Sequence, residues 1–266
     1  MGKLLFFDAD ETAFSNKTNS VPESAKKAFR LAKENGHQIF LNTGRPLGYR
    51  GHELDSIGFD GFLCSNGNCI VYHDDLLFHN MIPSTICQQI IPLIPKHDIR
   101  AVLETKERSY LFDQDDTFHP YLGNVIHAYE EDDTIPAQYS YGGLSQFEKF
   151  ICFSRNASHM DAFLQDMKSL PYSFTYIKNS DTFYEVIPAD FHKGTAIKHL
   201  ATYLNQTLDD CYAFGDSPND VSMFQTAGHS ILMGNGYKEL ESLVEYITTD
   251  IDEDGIYNAM KHYHFI

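Results

Sequence analysis

The chain predicts an α/β fold, a doubly wound parallel sheet interrupted by an inserted α+β module. Three observations carry this. Near both ends, short apolar runs bounded by turn formers alternate with amphipathic stretches, the pattern of βαβ units. In the middle of the chain, strands come instead in pairs joined by turns. Polar clusters follow directly after several apolar runs, where open α/β sheets place their ligands. With 266 residues, 42% of them hydrophobic, the chain is long enough to bury a large core.

The first run, Leu4-Leu5-Phe6-Phe7, reads as a buried strand and ends in Asp8-Ala9-Asp10-Glu11-Thr12. Ser20-Val21-Pro22-Glu23 then matches a capping box, with Ser20 as N-cap and Pro22 in the first turn. Ala25, Ala28, Phe29 and Ala32 recur at helical spacing, and Gly36 stops the helix. A strand at 38–41 completes one βαβ unit, which implies parallel strands and a right-handed crossover. A helix at about 47–57 and a strand at Gly61–Cys64 follow, and Asn66-Gly67 signals a hairpin into Cys69–Tyr72. From Pro83 the texture changes: a helix at 85–94, strands at 99–104 and 109–112, then an irregular acidic and aromatic stretch. A strand at 150–153, a helix at 157–167 and strands at 174–177 and 183–187 close this block. Alternation then resumes with a helix at 193–205, a strand at 211–214, a helix at 218–227 and a strand at 230–233. Lys261-His262-Tyr263-His264 is most simply a frayed tail. The expected organisation is a core of residues 1–82 and 190–266 and an insert of residues 83–189.

Twenty Lys and Arg against 37 Asp and Glu give a net charge of −17, which argues against nucleic acid and anionic membranes as partners. An anionic substrate would need local neutralisation. No segment has the apolar length of a membrane span, and the residues before Asp8 are too few for a signal peptide. Five cysteines without a CxxC pair fit a reduced, cytoplasmic protein.

Four polar clusters carry chemistry. Asp8 and Asp10 lie at i and i+2, so an extended chain points both the same way. Two carboxylates about 4 Å apart repel by on the order of 4 kcal/mol at an effective dielectric of 20. A shared proton, solvent or a cation relieves this; an Asx turn is the plainer role. Thr43, Gly44 and Arg45 follow the 38–41 strand and suit oxyanion contacts, or Thr43 simply caps a helix. Lys193 starts a helix, against the preference of that end for anions. Gly215-Asp216-Ser217-Pro218-Asn219-Asp220 follows the 211–214 strand; Ser217-Pro218 makes an ordinary helix start and leaves Asp216 and Asp220 unexplained. Oxygen-only donors favour Mg²⁺ over Zn²⁺.

Together, in this order, the four clusters resemble the haloacid dehalogenase superfamily. Asp8-Ala9-Asp10-Glu11-Thr12 is similar to its DxDx[TV] signature, Thr43 to its Thr/Ser motif, Lys193 to its motif lysine and Gly215–Asp220 to its GDxxND motif. The insert, Asn66-Gly67 and Met233-Gly234-Asn235 resemble the Cof-type subfamily with a class IIB cap. One departure is Glu11, where that subfamily usually has glycine. The resemblance implies a Rossmann-like core with an α+β cap that sets specificity. It implies a Mg²⁺-dependent phosphohydrolase acting on small phosphate monoesters such as sugar phosphates, pyridoxal phosphate or flavin mononucleotide. Asp8 would be the nucleophile and Asp10 the general acid and base. Asp8, the Asp10 carbonyl and Asp216 would hold the metal. Thr43, Gly44, Arg45, Lys193 and Asn219 would contact phosphate or substrate, with Asp220 behind them. A phosphomutase or phosphotransferase using the same intermediate, and a non-catalytic sensor of phosphorylated metabolites, are the alternatives. Monomer and homodimer both stay open.

Overall fold

A computed structural model describes residues 2–111, 114–131, 137–138 and 140–266. They fall into two compact units: Met1–Arg45, Arg50–His79 and Phe191–Ile266 form the first, Pro46–Tyr49 and Asn80–Asp190 the second. In chain order the strands are β1 (Leu4–Phe7), β2 (Gln38–Asn42), β3 (Gly61–Cys64), β4 (Cys69–Tyr72), β5 (Asp75–His79), β6 (Arg100–Glu104) and β7 (Ser109–Leu111). After them come β8 (Ala137–Gln138), β9 (Lys149–Phe153), β10 (Phe174–Ser180), β11 (Phe183–Pro188), β12 (Cys211–Gly215), β13 (His229–Leu232) and β14 (Tyr246–Ile247). The helices are α1 (Glu23–Glu34), α2 (His52–Asp55), α3 (Ser84–Lys96), α4 (Pro120–Glu131), α5 (Ala157–Lys168), α6 (Lys193–Tyr203), α7 (Val221–Phe224) and α8 (Gly255–His262). Phe112, the last residue of the expected 109–112 strand, lies outside the described residues. Among the described residues, no helix is long and apolar enough to cross a membrane.

The first unit is built on one sheet of order β14-β13-β12-β1-β2-β3-β4-β5, parallel from β14 to β3 and antiparallel beyond. The doubly wound sheet expected from the alternation is therefore present. Its centre, β1, is buried on both faces, so its apolar run is continuous rather than alternating. Leu5 and Phe7 face α1 and α8, whose Ala28, Phe29, Ile256 and Met260 complete that layer. Leu4 and Phe6 face α6, with Ile197 and Leu200. The chain leaves β1 toward β2 on one side and reaches β12 on the other, which makes the C-terminal end of β1 a switch point.

Several expectations need correction. Ser20 does not cap α1; it pairs with Ser15 as an isolated bridge, and Pro22 occupies the N-cap without a side-chain hydrogen bond. Proline holds the preceding residues extended, so the helix opens at Glu23. The 47–57 helix shrinks to α2, because Gly51 at φ +93° precedes it and Pro46–Tyr49 turns into the second unit. The 218–227 helix is a short 3-10 turn, Pro218–Asp220, followed by α7. The C-terminal residues are ordered: the His262 ring stacks on Tyr246 at 4.0 Å, and Phe265 is buried.

The second unit has a sheet of order β10-β11-β9-β6-β7-β8, antiparallel except for β7 and β8. Ile90 and Ile94 of α3 and Phe163 of α5 pack with Leu103 and Phe150 of the sheet. Phe118, Leu122 and Ile126 pack with Val102 and Phe153. Leu122 and Ile126 belong to α4, a helix within the stretch expected to be irregular. Gly123 and Asn124 interrupt its apolar spacing, yet Gly123 is required: a Cβ there would lie 2.5 Å from the Asp116 carbonyl oxygen.

This unit also buries charge. Lys149 lies opposite Glu104 across β9 and β6, 2.6 Å from its Oε2, and 2.7 Å from Glu185 Oε1. Burial alone would lower the Lys149 pKa, but the two carboxylates outweigh it and hold the ammonium above its usual range. Burial pushes Glu104 up. Removing only the cation strands both carboxylates in the interior. Lys149→Met is therefore expected to lose about 3–5 kcal/mol of unfolding free energy in a urea titration.

Candidate active site

The hydrogen-bond ladder of β1 runs one residue past the strand, with Asp8 N donating to Phe214 O at 2.9 Å. The chain then turns sharply, as Ala13 N and Phe14 N both donate to Ala9 O, at 2.9 and 2.8 Å. Asp8 is thus held rigidly at the end of the central strand, and its carboxylate is buried.

Lys193 opens α6 and is fully buried. Its Nζ lies 2.6 Å from Asp8 Oδ1, 2.6 Å from Asp220 Oδ1 and 3.2 Å from Asn219 Oδ1. The poor helix position is explained by this contact set: three oxygen acceptors offset the unfavourable helix end. Asp220 uses its other oxygen to accept from Asp216 N and Ser217 N, at 2.9 and 3.0 Å. That closes a capping box with Ser217 and fixes the turn after β12. Gly215 is required there, since a Cβ would meet the Asp220 carboxylate at 2.5 Å.

Asp216 completes the group. One carboxylate oxygen from each of Asp8, Asp216 and Asp220 lies within 4.8 Å of the others, and these three could hold a metal ion. Thr12 Oγ1 donates to Asp216 Oδ1 at 2.9 Å. Burial first, then the neighbouring Asp220 carboxylate, pushes Asp8 up to about 7 against the pull of Lys193. Burial and the Asp8 charge push Asp216 up to about 8. Lys193 is held above its usual range, because the Asp220 and Asp8 carboxylates outweigh its burial.

Asp10 takes a different place. Strand alternation does not extend to it, because the chain has already turned at Ala9. Its carboxylate is not among the three and is gripped by the Arg45 guanidinium: Nε donates to Oδ2 at 3.0 Å and Nη2 to Oδ1. Arg45 also donates to Arg50 O at 2.8 Å and lies over the Phe14 ring. Thr43 is buried at the end of β2, with Oγ1 accepting from Arg45 N at 3.1 Å across Gly44. Asn42 Nδ2 donates to Lys193 O at 3.1 Å, tying that strand end to the start of α6.

Two residues that stand in the quoted motifs were given no role by the sequence reasoning. Thr12 orients Asp216, as described. Asn235 donates to Glu11 O at 2.7 Å and accepts from Ile251 N at 2.9 Å, so it pins the turn after Asp10. Neither role is visible in spacing, because each partner is more than 200 residues away for Thr12 and for the Glu11 contact. Glu11 itself sits at φ +58°, the left-handed region that glycine enters freely, and its Oε1 accepts from Asn16 N at 3.2 Å.

The arrangement offers a buried carboxylate, a buried ammonium against it and a set of oxygen ligands, which suits attack on an anionic group. Sequence and structure comparisons point the same way. The profile of the haloacid dehalogenase-like hydrolases matches residues 5–260. YkrA of Bacillus subtilis, named as a candidate phosphatase, is 27% identical over 97% of this chain and 96% of its own. Phosphatase YwpJ of the same organism is 24% identical over 98% and 99%. The solved structure of BT1666 from Bacteroides thetaiotaomicron, described among phosphatases of that superfamily, superposes with a TM-score of 0.83 at 24% identity, covering 100% of this chain and 96% of that one. The chain belongs to the haloacid dehalogenase-like hydrolase family, as one of its phosphatases.

Proposed function

We propose that the chain is a Mg²⁺-dependent phosphatase of small phosphate monoesters, working through an aspartyl-phosphate on Asp8. The observation that carries this is the Lys193 ammonium, 2.6 Å from both Asp8 and Asp220 and fully buried. It holds one Asp8 oxygen and leaves the other to attack phosphorus. The P–O bond to the alcohol breaks as the Asp8–phosphorus bond forms, and Asp10 donates a proton to the departing oxygen. Asp10 then takes a proton from the water that attacks phosphorus, which frees inorganic phosphate and restores Asp8. Arg45 orients the Asp10 carboxylate from both oxygens, a role that takes the place of a direct contact to substrate. Thr43, Gly44 and Asn219 join Lys193 in holding the phosphate oxygens. Asp220 acts behind Lys193 and Asp216, since both its oxygens are already engaged.

The donor set fits a hard cation: three carboxylate oxygens close together, no nitrogen or sulfur, and a surplus of buried negative charge. Asp8 and Asp216, with the Asp10 carbonyl, would hold Mg²⁺, and the bound ion would cancel the repulsion between Asp8 and the phosphate. Five cysteines, all free and buried, suit a reducing compartment such as the cytoplasm. The inserted unit is the part proposed to select among esters.

Asp8→Asn is expected to lower turnover of p-nitrophenyl phosphate and of a panel of sugar and cofactor phosphates by about 10³-fold or more, and a chelator should silence the wild type. Turnover by Asp8→Asn comparable to wild type would remove the covalent mechanism.

Protons and cation should also compete for the site. Asp8 and Asp216 carry raised pKa values in the folded chain, so the stability they contribute is present at low pH and is lost as pH rises from about 4 toward about 8. Added Mg²⁺ should therefore raise the melting temperature more at pH 8 than at pH 5.5. Equal shifts at both values, followed by differential scanning fluorimetry, would contradict this.

A further inference from the structure

The turn between β3 and β4 stores strain beside two of the site's groups. Ser65, Asn66 and Gly67 take φ values of +53°, +53° and +91° in succession. Glycine and asparagine enter this region readily, serine seldom. All three are buried, and the Ser65 hydroxyl has no hydrogen-bond partner among the described residues. Strain of this kind persists only where the surroundings over-determine it, and it gathers at functional sites.

The surroundings here are the Thr43 loop on one side and the start of α6 on the other. Ser65 N donates to Arg45 O at 2.9 Å, Asn66 N donates to Thr43 O at 3.1 Å, and Thr43 N donates to Leu63 O at 2.8 Å. Opposite them, a Cβ on Gly67 would lie 2.6 Å from the carbonyl oxygen of His192, the residue before Lys193. The turn is wedged between the two.

We infer that Ser65–Gly67 is a positioning element: its left-handed backbone sets the place of Thr43 relative to Lys193, and Ser65 acts through its conformation rather than its hydroxyl. The inference rests on the proposed role of those two residues in holding phosphate. The serine Cβ disfavours this conformation, so the backbone bonds to Arg45 O and Thr43 O hold the turn there against the residue's own preference.

Two variants of the full chain test it, by turnover of p-nitrophenyl phosphate and inhibition by inorganic phosphate. Ser65→Val, whose branched Cβ disfavours φ +53° more strongly than serine, should push the turn out of place and raise KM and the phosphate inhibition constant about tenfold. Ser65→Ala, which keeps the Cβ and removes the hydroxyl, should retain wild-type constants. Unchanged constants in Ser65→Val, or an equal loss in Ser65→Ala, would each overturn the inference. Asp8→Asn separates the two levels. If it keeps turnover, the phosphatase mechanism fails and takes this inference with it; if it is inactive while Ser65→Val is unaltered, only the inference fails.

Discussion

The fully buried ammonium of Lys193 is the interaction on which the rest of the site depends. Burying an isolated cation costs several kcal/mol, and burying Asp8, Asp216 and Asp220 beside one another costs more still. Each side makes the other tolerable. The lysine carries one positive charge among three carboxylates, so the cluster keeps a negative surplus that a divalent ion can balance. The geometry needs a sheet in which three adjacent strands end together. β12, β1 and β2 do so, and they bring Asp216, Asp8 and Thr43 to one edge.

Around this centre, backbone devices do the positioning. The Asp220 carboxylate folds back on Asp216 N and Ser217 N, and only a glycine at 215 leaves room for it. His192 caps α6 by accepting from Thr195 N, which fixes where Lys193 begins. Asn235 and Thr12 hold the turn after Asp10 from two directions. A short polar motif is thus a list of mutually dependent contacts. Changing one residue shifts the partner rather than deleting a single bond.

The second unit solves a different problem with the same physics. Its sheet carries a buried lysine between two glutamates, Glu104 and Glu185, where an apolar triplet of similar volume would also pack. Such a network adds little net stability, but a register slip of one residue would leave each charge alone in the interior. The pairing of β6, β9 and β11 is therefore tightly specified.

Most strands and helices were legible in the sequence because burial on one or both faces leaves a periodic apolar trace, whereas β5, β8, β14 and α8 were not. β1 shows it as a continuous run and α1 as Ala25, Ala28, Phe29 and Ala32. Three of the four polar clusters were legible because each follows a strand, and strand ends are where a parallel sheet exposes its chain; Lys193 was legible as a cation at a helix start. Helix starts and the helix α4 were not, since a capping choice or an interrupted apolar face is decided by neighbours far along the chain. The same holds for Asp10, which spacing aligned with Asp8 but which a turn at Ala9 delivers to Arg45. Local pattern determined which segments are buried and which residues stand at their ends. Only the tertiary structure decided which charge meets which, because that depends on distances between residues separated by as many as 204 positions for Thr12 and Asp216, and periodicity carries no record of those.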